Sequence, residues 1–401
     1  MYRRFLILGV IVLIGLFRAC VERFYPGENE MKTGTLVINA HLTNVPGEQV
    51  IEISRSAPLI YPSFDPVSGC LAEVIREDGE LRIFSESEPG YYRAELDASF
   101  LLSGSAFMLH VITPGGKEYE SAFDKLRPVP AIDSLYYLLE TNSFASESDS
   151  VSGIRFYLDF TFDDEDYEYI RWDLTETYEF HNRDDLEYYF LDMDHWMKPV
   201  PDTSIYTICY ISNELFEIHS MSLRSLDFGN YIKKPFSFVP DDPREQKLHH
   251  KYGLLVKQYS LGQEAFYYWN ELKKNTGEQG SLFDRQPAML KSNIRNVNDE
   301  TERVLGFFSM AGLTEKRAFA IKPEGLDLNP YEDQCFVMPK YGEEYNTVPY
   351  FRPGGYYPHD PPPIFITWPR LMPWLPPMLT NKACVDCREY KNSTDIQPDF
   401  W

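Results

Sequence analysis

Six cysteines carry most of the chemistry that residue type and spacing suggest in this chain. Cys384-Val385-Asp386-Cys387 has the C-x-x-C spacing of a redox pair, half of a zinc site or a structural disulfide. A zinc site needs a second such pair, and the sequence has none. A thioredoxin-like pair opens a helix after a strand, whereas this one follows a proline-rich stretch close to the last residue. A structural disulfide is therefore expected, with Cys209, Cys335, Cys384 and Cys387 as candidates. Cys70 makes the number of cysteines beyond residue 20 odd, so pairing leaves one over. The eight histidines are scattered; His249 and His250 are adjacent, which points their rings to opposite faces of a strand and fits no shared metal. With 61 acidic residues, nearby carboxylate pairs are unavoidable and say nothing about glycosidase chemistry. Asp163-Asp164-Glu165-Asp166 lacks the glycine and spacing of an EF-hand and reads as a solvated turn. No G-x-S-x-G, H-E-x-x-H or P-loop motif stands between a strand and a helix. The residues nominate no catalytic centre, no metal and no cofactor.

The elements that must position these residues are framed by composition. The 401 residues exceed the ~250–300 at which one core usually splits, so two domains are expected. Hydrophobic residues at 43% and charged residues at 25% match a folded globular chain. A net charge of -23 repels phosphate backbones and excludes nucleic-acid binding. The 28 Tyr, 27 Phe and 29 Pro favour strands and fixed turns over long helices. At the start, Arg3 and Arg4 precede an apolar run from Phe5 to Phe17, long enough for a signal peptide and short of the ~20 residues that span a bilayer. Leu16-Phe17-Arg18-Ala19-Cys20 resembles a lipobox, so residues 1–19 are expected to be removed and Cys20 acylated. Loss of Arg3, Arg4 and Arg18 takes the net charge from -23 to -26.

Residues 20–34 read as a stalk. Residues 35–127 carry at least six short β-branched runs, including Leu36–Leu42, Gln49–Ser54, Leu71–Ile75 and Ala106–Ile112, with a turn at Asp78-Gly79. That spacing predicts an immunoglobulin-like or transthyretin-like β-sandwich. Arg127-Pro128-Val129-Pro130-Ala131 reads as a stiff connector. A larger β-rich domain over 132–345 follows, with strands at Ser134–Glu140, Arg155–Phe160, Tyr167–Tyr178, Tyr206–Ile211, Phe216–Met221, Arg303–Phe308 and Arg317–Ile321. Its one clear helix runs from Leu261 to Lys274, with Ala265, Tyr268, Trp269 and Leu272 on one face. Residues 346–401 form a Pro/aromatic tail, in which Tyr350, Tyr356, Tyr357, Trp368 and Trp374 either lace the chain across the sandwich or offer a rigid contact surface to a partner.

In order along the chain, several short marks resemble the Bacteroidota lipoproteins of the family called domain of unknown function 4249. They are Cys20-Val21-Glu22, Leu36-Val37-Ile38-Asn39-Ala40, Gly90-Tyr91-Tyr92-Arg93, Gly116-Lys117-Glu118-Tyr119-Glu120-Ser121 and Pro128-Val129-Pro130-Ala131. Ala265-Phe266-Tyr267-Tyr268-Trp269, the stretch from Leu282-Phe283-Asp284 to Asn293-Ile294, Val304-Leu305-Gly306-Phe307-Phe308 and the ending from Cys384 to Trp401 complete the set. Cys70 stands where the family usually has a small residue such as alanine, which implies that Cys70 is the unpaired thiol. Lys391-Asn392-Ser393 replaces a glycine-rich turn. The resemblance implies a lipid-anchored protein of the outer membrane, non-enzymatic, accessory to a TonB-dependent receptor or another envelope assembly. A stand-alone glycan- or peptide-binding lipoprotein is the alternative, and a hydrolase with a hidden site a third.

Overall fold

The computed structural model describes residues 34–57, 63–143, 150–162, 167–182, 207–224, 226, 231–242, 244–277, 290–328 and 386–401, with short strands at 188–189, 198–199, 338–339, 365–367 and 378–380. Strands dominate, as the composition requires. The first sandwich uses β1 (Leu36–Thr43), β2 (Gly47–Arg55), β3 (Asp65–Pro66), β4 (Leu71–Arg76), β5 (Leu81–Glu88), β6 (Tyr91–Leu96), β7 (Ala106–Ile112), β8 (Glu118–Ser121) and β9 (Asp124–Lys125). Its faces follow from the two-residue period: Leu36, Ile38, Ala40 and Leu42 of β1 and Phe107, Leu109 and Val111 of β7 are all buried. β5 turns the corner between layers, pairing β4 through Leu81 to Phe84 and β6 through Ser85 to Glu88. The Asp78-Gly79 turn expected before it is present, with Gly79 at φ +91. It also feeds a buried cation: Arg76 meets Asp78 at 2.6 Å and Glu80 at 2.5 Å, and donates to the carbonyls of Ser99 and Phe100.

The second sandwich is built from β10 (Ile132–Ser143), β11 (Ser150–Thr161), β12 (Tyr169–His181), β15 (Ile208–Ser222), β16 (Tyr231–Pro240) and β17 (Lys251–Leu261). The sheet β10-β11-β16 covers the sheet that carries β15-β12-β17. Between them lie Phe156, Phe160, Trp172, Phe236, Tyr252 and Val256, all nearly or fully buried. The runs Tyr206–Ile211 and Phe216–Met221 are not two strands but one, β15. Helix α1 (Gln263–Gly277) follows β17 directly, close to its expected bounds. Short strands β13 (Tyr188–Tyr189), β14 (Lys198–Pro199), β20 (Met338–Pro339), β21 (Phe365–Thr367) and β22 (Met378–Thr380) form a separate small sheet, so part of the proline-rich tail pairs with residues 188–189. Among the described residues no helix is long and apolar enough to cross a membrane.

The expected division at residues 127–132 is crossed by the returning chain. β18 (Ile294–Asn296) pairs with β8, and β19 (Leu305–Ile321) runs through both sandwiches. Residues 305–311 of β19 lie parallel to β1, and residues 312–321 lie antiparallel to β17. The expected strands Arg303–Phe308 and Arg317–Ile321 are thus the two ends of one. Ile294, Val304, Phe308 and Met310 belong to the core of the first sandwich, although they follow it by some 170 residues or more. Gly312 marks the change of partner, where a Cβ would sit 2.4 Å from the Arg127 carbonyl oxygen. The connector itself is pinned through its carbonyls, the only backbone hydrogen-bonding groups that prolines keep. Ser260 Oγ donates to Arg127 O at 3.0 Å, and Gln258 Nε2 donates to Pro130 O at 2.7 Å. Gln258 Oε1 in turn accepts from the buried Trp172 indole at 2.8 Å, which ties the connector to the second core.

Candidate functional site

The aromatic run of α1 faces the junction. With 3.6 residues per turn, Ala265, Tyr268, Trp269 and Leu272 share one face, while Tyr267 projects outward and is 54% exposed. Phe266 stacks on Tyr169 of β12 at 4.4 Å, and Tyr268 stacks on Phe307 of β19 at 4.7 Å. The helix therefore rests on strands from both sandwiches.

Between α1 and β18 lies a groove of about 520 Å³, lined among others by Tyr267, Tyr268, Phe307, Glu264, Lys291 and Arg295. Its floor is fixed by Asn293, whose amide bonds both ways to β19: Nδ2 donates to Phe308 O at 2.7 Å and Oδ1 accepts from Phe308 N at 2.9 Å. That side chain imitates a strand partner and holds the turn before Ile294 in place. The sequence marks Ala265–Trp269 and Val304–Phe308 thus meet Asn293-Ile294, the end of the mark that starts at Leu282, which their spacing along the chain does not show.

Beside the helix is a polar cluster in which Ser309 and Arg171 are buried and His41 is half-buried. His41 Nδ1 lies 2.9 Å from Ser309 Oγ, and the imidazole packs against Trp269 at 4.9 Å. The Arg171 guanidinium lies over the Trp269 ring at 3.8 Å and over Tyr259 at 4.7 Å, and pairs with Asp173 at 2.7 Å. Burial, and then the charge of Arg171, push His41 down to about 3. A hydroxyl beside an imidazole is the start of a nucleophile–base pair. Here Ser309 is 2% exposed, His41 is half-buried, and the lowered pKa keeps the imidazole neutral at pH 7. The open side of the groove offers rings, carboxylates and two cations, which suits binding.

Among the described residues, two other clusters bring three ligand-type atoms within 4.8 Å of one another: Glu179, His181 and His250, and His110, Glu118 and Glu120. Neither lies in the groove.

Of the residues singled out in the sequence, Cys20, Cys335, Cys384, Tyr350, Tyr356, Tyr357, Trp368 and Trp374 lie outside the described residues. Cys387 is buried and bonded to Cys209 on β15, with Cα atoms 5.7 Å apart. The C-x-x-C pair is therefore not closed on itself, and Cys387 is no half of a redox dithiol. The bridge holds residues 386–401 against β12 and β15, where Phe180 and Tyr390 lie 4.5 Å apart. Cys70 is a free thiol, its pKa raised by burial. Asn392, in place of the glycine-rich turn, adopts φ +62 and donates from Nδ2 to Asn213 Oδ1 at 3.0 Å. Asparagine tolerates that backbone better than most side chains, which explains how the turn survives without glycine.

The family described as Domain of unknown function (DUF4249) matches residues 21–317. The chain belongs to the DUF4249 family. The match includes the groove, the helix that lines it and most of β19, and stops short of the disulfide's second cysteine. No curated protein matches. Among solved structures, the chain is similar to trypsin-activated alpha-2-macroglobulin from Escherichia coli at 9% identity and a TM-score of 0.18. That alignment covers 58% of this chain and 15% of the other, and it is too loose to carry an argument.

Proposed function

We propose that this DUF4249 protein is a non-enzymatic lipoprotein of the Bacteroidota outer membrane that holds an envelope partner, a TonB-dependent receptor being the first candidate. The observation that carries the reading is the junction groove: a floor fixed by Asn293, exposed Tyr267, and Lys291 and Arg295 set among carboxylates. Aromatic and arginine side chains of this kind supply most of the energy in protein contacts. Cys20 is the proposed anchor, and a stalk of residues 20–34 allows the first strand to stand at most about 50 Å from the membrane. A mature charge of -26 steers the protein toward basic patches and away from bare anionic lipid. The tail residues Tyr350, Tyr356, Tyr357, Trp368 and Trp374 are proposed as a second part of the contact.

A tagged copy purified from solubilised native membranes tests this. A large barrel protein should come with it in near-stoichiometric amount, and deletion of residues 350–376 should weaken the recovery. Fatty-acid labelling should disappear in Cys20→Ala. Recovery of the protein alone, together with turnover of a glycan or peptide, would overturn the reading.

A further inference from the structure

At the far end of the second sandwich, β12 finishes on His181, and Glu179 lies two residues earlier on the same face. The neighbouring strand β17 begins at Lys251 and its ladder with β12 ends on the pair Tyr178↔Tyr252, so His250 stands just before the strand and off that ladder, where its ring reaches His181. The rings of His181 and His250 lie 3.5 Å apart and nearly parallel, at 15°. His181 Nε2 is 2.5 Å from Glu179 Oε1. The three side chains are half-buried, and one ligand atom from each lies within 4.8 Å of the other two.

The surroundings hold two of these groups in place. Gln246, 4% exposed, clasps the backbone of His181: its Oε1 accepts from His181 N at 3.1 Å and its Nε2 donates to His181 O at 2.7 Å. The second oxygen of Glu179 accepts from the Trp401 indole at 3.3 Å. Outer partners of this kind orient ligands in metal sites.

We propose that Glu179, His181 and His250 bind a divalent transition metal of the zinc or copper class. Two imidazole nitrogens and one carboxylate oxygen are the donor set of these ions, whereas calcium and magnesium call for oxygen ligands throughout. Bonds of ~2.0–2.1 Å place tetrahedral donors about 3.3 Å apart, so the present spacing closes by at most ~1.5 Å through side-chain rotation. On binding, the hydrogen bond between His181 and Glu179 gives way to two bonds to the metal, and His181 carries its proton on Nδ1. Three protein ligands leave at least one position for water or for a donor from a partner. The adjacent His249 is not one of the three clustered residues; the second imidazole is that of His181, from β12. This inference does not depend on the partner-binding reading.

The test uses the full mature chain, with its disulfide intact, after treatment with chelator. Calorimetric titration with zinc should show one equivalent bound with a micromolar or tighter Kd. His181→Gln and His250→Gln should each weaken binding by 100-fold or more, and His249→Gln should leave it unchanged. Copper should quench tryptophan fluorescence, and Trp401→Phe should remove most of that quench while weakening zinc binding far less than the ligand variants do. If the histidine variants do not fold, Glu179→Gln and the Trp401 quench decide. No binding at millimolar zinc, or equal binding in wild type and the folded ligand variants, overturns the proposal.

Discussion

Gly306 is the sharpest test of the shared strand. It stands opposite Ile38 in the parallel pairing of β1 with β19, at φ +88. A Cβ there would lie 2.0 Å from Ile38 O, 2.6 Å from Ile38 C and 2.8 Å from Asn39 Oδ1. The left-handed backbone alone costs an alanine about 1–2 kcal/mol. Relief of the contact needs β1 and β19 to part by about 1 Å, which sacrifices some two ladder hydrogen bonds at ~1 kcal/mol each. Gly306→Ala should therefore destabilise the protein by about 3–4 kcal/mol. Gly116 separates the two contributions, because it has φ +77 and nothing within 4 Å of its Cβ position. Gly116→Ala should cost only the backbone part, about 1–2 kcal/mol. Urea denaturation of the two variants, compared through midpoint and slope, reads the difference. If they match within ~0.5 kcal/mol, the parallel pairing in this register is wrong.

Replacing both Cys209 and Cys387 with alanine opens a loop of 178 residues, and the chain-entropy account gives a loss of up to about 5 kcal/mol. A loss below ~1 kcal/mol in non-reducing urea denaturation would contradict the clamp on residues 386–401. For His110, burial alone would lower the pKa, but the hydrogen bonds its ring donates to Glu118 at 2.9 Å and to Glu73 at 3.2 Å outweigh it and raise it. The charged imidazole thus stabilises the fold fully below the unfolded value near ~6.5, and the benefit fades as pH rises through the higher native value. Wild type should lose stability relative to His110→Gln over that interval; parallel curves would refute it.

The strands of the first sandwich were legible because their alternation is regular: Leu36 to Leu42 and Ala106 to Ile112 keep one buried residue in two. The helix was legible for the same reason at a different period. β19 was not, because residues 306–312 are buried on both faces and 313–319 on neither, so the strand carries no two-residue alternation where it leaves one sheet for the other. Nor was the second half of β5, where Ser85-Glu86-Ser87-Glu88 is exposed and carries no apolar face. The groove is assembled from α1, β18 and β19, and no local pattern announces contacts between residues so far apart in sequence. The meeting of His181 with His250 is invisible in the chain order, because 68 residues separate them and only the pairing of β12 with β17 brings their rings together.

The claim that the junction groove is where a partner sits is tested most directly by a photoreactive residue in place of Tyr267, introduced into the tethered protein in its native membranes. The account predicts one dominant covalent adduct with an outer-membrane barrel protein, and little adduct from the same probe at Phe216, which is 89% exposed on β15, away from the groove. Equal labelling from both positions, or none from Tyr267 while the barrel protein still co-purifies, would contradict it.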